Sequence, residues 1–129
     1  MALPQRTVLI LDIDEATGRL YRRELRHRCQ MLQCTTEQAA WQMLHTQRVD
    51  AIILEPTALH DESWGFVARL RASTNHRDTP IIVCSTLDAR RHGAELGVSA
   101  YLIKPVTPQT LDILLQSIFA CENASPAGA

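Results

Sequence analysis

The chain has 129 residues, of which 46% are hydrophobic and 21% charged, and its formal net charge is −1. That length holds one domain with a sizeable core, and the composition excludes a disordered chain. The small net charge excludes a global basic field for nucleic acid or membrane, and the apolar runs are far shorter than the ~20 residues that span a bilayer.

In chain order, Thr7–Leu11 is an aliphatic run that predicts a strand, followed by Asp12-Ile13-Asp14-Glu15. The helix expected next contains Gly18, and its apolar stripe is only Leu20, Tyr21 and Leu25. Arg19, Arg22, Arg23, Arg26 and Arg28 spread around it with Glu24 and His27, which reads as a solvated face; a small basic docking patch is the alternative. Met31–Cys34 predicts a second strand. Thr36 then marks a helix start, with Ala40, Met43 and Leu44 on one face. Ala51–Leu54 predicts a third strand ending in Glu55-Pro56, and Phe66, Val67 and Leu70 give the stripe of a third helix.

Ile81–Cys84 predicts a fourth strand ending in Ser85-Thr86, with Cys84 as a small core residue. Asp88 marks the start of a fourth helix and Gly97 its stop. Ala100–Ile103 predicts the fifth strand, ending in Lys104-Pro105. Thr107 caps a last helix with Pro108 at its first position, and Leu111, Leu114, Leu115 and Ile118 form its stripe. Residues 123–129 are small and polar, so one domain is expected over 1–122 with a tail or the start of a linker after it. The fold class is therefore α/β: five βα units with a doubly wound, five-stranded parallel sheet.

Met1-Ala2-Leu3-Pro4-Gln5-Arg6 lacks the long apolar region of a signal peptide, so a cytoplasmic protein is expected. Cys29, Cys34, Cys84 and Cys121 have no paired spacing, and His27, Cys29 and Cys34 lack the second close pair that would complete a metal site. No helix-turn-helix follows the fifth unit, so no nucleic acid and no membrane is expected as a partner of this domain.

Lys104 is the only lysine, against twelve arginines. A compact ammonium suits a single anionic oxygen, where a guanidinium suits a flat fork. In open parallel sheets ligands bind beyond the carboxyl ends of the strands. Those ends bring Asp12, Asp14, Glu55, Ser85, Thr86 and Lys104 to one rim, a set suited to a hard cation with a phosphoryl group.

The segments Val8–Asp12, Asp50–Glu55, Thr79–Thr86 and above all Gly97-Val98-Ser99-Ala100-Tyr101-Leu102-Ile103-Lys104-Pro105 carry a resemblance. Over roughly Thr7 to Phe119 the chain resembles a response-regulator receiver domain of two-component signalling, with the flavodoxin-like (βα)5 fold. The resemblance implies a phosphoryl group passed from a histidine kinase to an Asp after strand 3, with Mg²⁺ held by that Asp and two acidic residues after strand 1. Carried over by position, Asp12 is the first acidic residue, Ser85 and Lys104 are the phosphoryl contacts, and Ser85 and Tyr101 are the switch residues. The Lys104-Pro105 bond is expected to be cis.

Two positions depart from the pattern: Glu55 stands at the phospho-acceptor position, and Ile13 at the second acidic one. Glu55 is expected to reach Lys104 and Ser85 and partly mimic a phosphorylated Asp. Ile13 removes a ligand and puts an aliphatic group beside the metal position, so Asp12 reads as vestigial. No cofactor is expected, with Mg²⁺ only if the site still functions. The loop at 56–65 lacks the usual proline pattern, and the fourth helix looks truncated.

The expected role is a non-enzymatic, phosphorylation-independent pseudo-receiver that binds proteins (a histidine kinase, a phosphotransfer or effector protein) or a second copy of itself. A conventional Mg²⁺-dependent receiver is one alternative. The other is a phosphatase of the haloacid-dehalogenase type, with Asp12 as nucleophile, Asp14 as acid/base, and Ser85 or Thr86 with Lys104 on the phosphate.

Overall fold

A computed structural model of the chain describes residues 5–59, 61 and 64–124. The elements are β1 (Thr7–Leu11), α1 (Glu15–Leu25), β2 (Gln30–Cys34), α2 (Glu37–Thr46), β3 (Ala51–Leu54), α3 (Gly65–Ala72), β4 (Ile81–Ser85), α4 (Arg90–Glu95), β5 (Ala100–Ile103) and α5 (Pro108–Ala124). A 3-10 turn, Pro56–Ala58, follows β3. The five strands form one parallel sheet in the order β2-β1-β3-β4-β5.

β1, β3 and β4 are apolar along their length because helices cover both faces of the central sheet. Alternate residues serve the two layers. Leu9, Leu11, Ile52, Leu54 and Val83 pack with Phe66, Val67 and Leu70 of α3 on one face. Val8, Ile10, Ile53, Ile82 and Cys84 pack with Tyr21 and Leu25 of α1 and Leu111 and Leu115 of α5 on the other. Cys29, Cys34 and Cys84 are free thiols in this core, pushed by burial up to about 11, 12 and 12 respectively, too high for thiolate reactivity.

The helix ends follow local chemistry. Thr36 Oγ1 accepts from Ala39 N at 3.1 Å, and Thr107 Oγ1 from Thr110 N at 3.2 Å, with Pro108 opening α5. Gly97 takes φ +79° after α4, in the left-handed region that favours glycine. α4 is a single stretch of six residues, the expected truncation.

Four expectations need correction. β2 begins at Gln30, one residue earlier than the apolar run, because its edge position tolerates an exposed Gln. Asp88 does not cap α4: the N-cap position is Ala89, and the Asp88 carboxylate accepts instead from Arg90 N and its guanidinium. Leu20 is 38% exposed and faces out, so the inward stripe of α1 is Gly18, Tyr21 and Leu25. α5 runs to Ala124, two residues past the expected boundary at 122.

The rest of the tail (125–129), residues 1–4 and loop residues 60, 62 and 63 lie outside the described residues. Among the described residues, no helix is long and apolar enough to cross a membrane.

Candidate functional site at the carboxyl rim of the sheet

The register fixes the rim. Leu11 is level with Cys34 on one side and Leu54 on the other, while Ser85 is level with Ile103. The residues immediately after β1, β3 and β5, with the last residue of β4, therefore converge. Asp12, Glu55 and Ser85 are all buried, at 4%, 4% and 3% exposure.

Lys104 joins β1 to β3 from across the rim. Its Nζ donates to Asp12 Oδ2 at 2.9 Å and lies 3.5 Å from Glu55 Oε2. Burial alone pushes the ammonium pKa down, but the hydrogen bond and charge of Asp12 and the charge of Glu55 outweigh it, and the net shift is upward. The Lys104-Pro105 peptide bond is cis, as the resemblance implies.

Each carboxylate is also tied to backbone. Asp12 Oδ1 accepts from Asp14 N at 2.8 Å, and Glu55 Oε1 accepts from Thr57 N at 3.0 Å. Glu55 Oε2 is buried without a hydrogen-bond partner, so Lys104 at ion-pair distance is its compensation. The expected contact with Ser85 is not made: the Ser85 hydroxyl accepts from Leu87 N at 3.1 Å. The methylene that Glu adds carries its carboxylate to Lys104 and to the following turn, not across to β4.

Ile13 is 61% exposed, so the position next to Asp12 offers the rim neither an oxygen nor a packed wall. Asp14 is occupied as the cap of α1, accepting from Ala16 N at 3.1 Å and Thr17 Oγ1 at 2.7 Å. The Thr17 hydroxyl lowers its pKa below the usual carboxylate range, which is the wrong direction for a general acid. The two-aspartate phosphatase reading requires Asp14 beside Asp12 as acid and base, and this geometry does not support it. Among the described residues no three His, Cys, Asp or Glu side chains converge on a metal-sized site, the group His27, Cys29 and Cys34 included.

Tyr101 points inward. Its hydroxyl donates to Leu87 O at 2.6 Å and accepts from Ala89 N at 3.0 Å, bridging the β4–α4 loop to β5. Its ring stacks on Trp64, with centroids 6.2 Å apart and planes at 15°. Trp64 sits at φ 58°, and the ring of His92 meets it edge-on at 4.9 Å. A left-handed tryptophan costs about 1–2 kcal/mol, which burial of the indole to 5% exposure offsets. Gly93 completes the arrangement: a Cβ there would lie 3.0 Å from Val98 and 3.2 Å from the Tyr101 ring. Sequence reasoning found Tyr101 but missed Trp64 and Gly93. The signal available was Trp64-Gly65 just ahead of an apolar helical stripe.

No protein-family model matches the chain, and no curated protein matches it. Solved structures do. A putative response regulator from Chloroflexus aurantiacus is 24% identical with a TM-score of 0.82, covering 91% of this chain and 99% of its own. The chemotaxis response regulator CheY4 of Vibrio cholerae is 22% identical with a TM-score of 0.81, covering 89% and 99%. The receiver domain of the sensor histidine kinase PA1611 of Pseudomonas aeruginosa, which has a magnesium ion coordinated in its active-site cleft, is 22% identical with a TM-score of 0.76, covering 88% and 97%. At these identities the likeness carries the fold, and the strand order agrees with it: the chain has the flavodoxin-like (βα)5 fold of response-regulator receiver domains.

Proposed function

We propose that this domain serves signal transduction as a pseudo-receiver: a non-enzymatic module that binds proteins without being phosphorylated. The observation that carries the reading is the position of Lys104, held by Asp12 at 2.9 Å and Glu55 at 3.5 Å. In the reading, Glu55 replaces a phospho-acceptor and its carboxylate takes the lysine contact that a phosphoryl oxygen would take. Mg²⁺ has no role, because Asp12 and Glu55 are both engaged by the lysine and Ile13 supplies no oxygen. The partners are a histidine kinase, a phosphotransfer or effector protein, or a second copy of the chain.

The test is incubation with acetyl phosphate and Mg²⁺, read by intact mass. The wild-type domain stays unmodified on this reading. The double variant Ile13→Asp, Glu55→Asp restores a metal ligand and a shorter acceptor, and gains the mass of one phosphoryl group. Phosphorylation of the wild type overturns the proposal.

A further inference from the structure

The arginines of α1 were left without a role by the rim. The helix buries Gly18, Tyr21 and Leu25, and Gly18 packs so closely on β2 that a Cβ there would meet the Gln33 side chain at 2.6 Å. That fixes which face is outward, and it carries Arg19, Arg22, Arg23 and Arg26, all exposed. Arg19 pairs with Glu15 at 2.9 Å and Arg23 with Glu24 at 3.2 Å. Arg22 and Arg26, one helical turn apart, have no acidic partner among the described residues. Arg28, by contrast, is folded back onto Asp112 of α5 at 2.8 Å and is not part of the face.

These side chains line a shallow groove along the helix with Leu20. The face thus carries two surplus positive charges on a molecule whose net charge is −1. Cations near a helix carboxyl end are favourable to the helix dipole, which accounts for Arg22 and Arg23 in the last turn. It does not account for Arg19 near the middle, nor for an unpaired i, i+4 couple, which repels itself.

We infer that this face of α1 docks an acidic amphipathic helix of a partner protein. The stripe from Arg19 to Arg26 advances seven residues, about 10 Å along the axis, matching carboxylates at i, i+4 and i+7 on a facing helix. Two exposed aliphatic side chains flank it, Leu20 at 38% and Ile13 at 61% exposure, the latter just ahead of the helix. They suit the apolar edge of a protein segment. A phosphate backbone would gain nothing from them and would be repelled by Glu15 and Glu24 within the same face. The inference does not depend on whether the rim accepts a phosphoryl group.

The test uses the full chain and a synthetic helical peptide with glutamates at i, i+4 and i+7 and leucines beside them, read by fluorescence anisotropy at two salt concentrations. Saturable, salt-sensitive binding is expected, weakened roughly tenfold or more by Arg22→Glu with Arg26→Glu and unchanged by Arg91→Ala on α4. Circular dichroism of the double variant should match the wild type, since both side chains are exposed. No saturation by about 1 mM peptide, equal binding of a glutamine-for-glutamate peptide, or equal binding by the double variant overturns the inference. Tighter binding of a duplex oligonucleotide or an anionic vesicle than of the peptide also overturns it.

Discussion

On the β4–β5 half of the rim, Ser85, Tyr101 and Lys104 are the residue types that the receiver resemblance implies; on the β1–β3 half, Asp12 is, while Ile13 and Glu55 are not. Yet the two halves are framed alike. Asp12, Glu55 and Ser85 are equally buried, and the strands beneath them are level and fully apolar. The core positions the strand ends, and the identity of the group at each end is a separate choice. A sheet can therefore keep its rim in register while the chemistry of one half changes, which is why fold alone does not settle activity.

The sharpest way to break the comparison is to remove the cation that joins the halves. Lys104→Met leaves Asp12 and Glu55 buried without their compensating charge, and is expected to cost about 3–5 kcal/mol in urea denaturation. Adding Asp12→Asn and Glu55→Gln to that variant should recover much of the loss; no recovery would mean the lysine acts through packing and not through charge.

Next in size, Tyr101→Phe removes one donated and one accepted hydrogen bond on the β4–α4 loop, at about 1–2 kcal/mol. Faster amide exchange at Ala89 should accompany it. An unchanged rate would separate the tyrosine from the loop. Glu55→Gln keeps the shape and removes the charge beside Lys104. On the pseudo-receiver reading it shifts self-association or partner binding, measurable by analytical ultracentrifugation, and no shift in either would remove Glu55 from the signalling account.

The same cluster sets an alkaline limb. Lys104 has a folded pKa above its ordinary 10.5, so its contribution is complete below that value and is lost as pH rises through the folded pKa. Thermal unfolding should show stability falling above pH 10.5 in the wild type and less so in Lys104→Met. At the small end, Arg19→Ala cuts an exposed i, i+4 pair and should stay within about 0.5 kcal/mol. A larger loss would blur the contrast between buried and exposed charges.

How much of this was legible follows from range. The apolar runs of β1, β3 and β4 and the caps Thr36 and Thr107 are written in neighbouring residues, and the structure bears them out. So is Gly97, whose positive φ answers the expected helix stop. Lys104 was singled out by composition, and its reach to Asp12 and Glu55 follows from strand order. The Trp64–Tyr101 stack was not legible, because it joins a loop to a strand 37 positions away by packing that no local period records. Glu55 missed Ser85 for a similar reason: the carboxylate found a nearer donor in the turn that its own chain makes at Thr57. Asp88 failed as a cap because the adjacent Arg90 guanidinium competes for its carboxylate.

The central claim is that Lys104 is already satisfied by the acidic side chains of the rim, leaving neither a metal site nor a vacancy for a phosphoryl group. A titration of the wild-type chain with Mg²⁺ and then beryllofluoride, followed by amide NMR, tests it most directly. The account predicts no saturable shifts at Asp12, Glu55, Ser85 or Lys104. Saturable shifts at those residues that spread to Tyr101 would contradict it, and the rim would be a working receiver site in spite of Ile13 and Glu55.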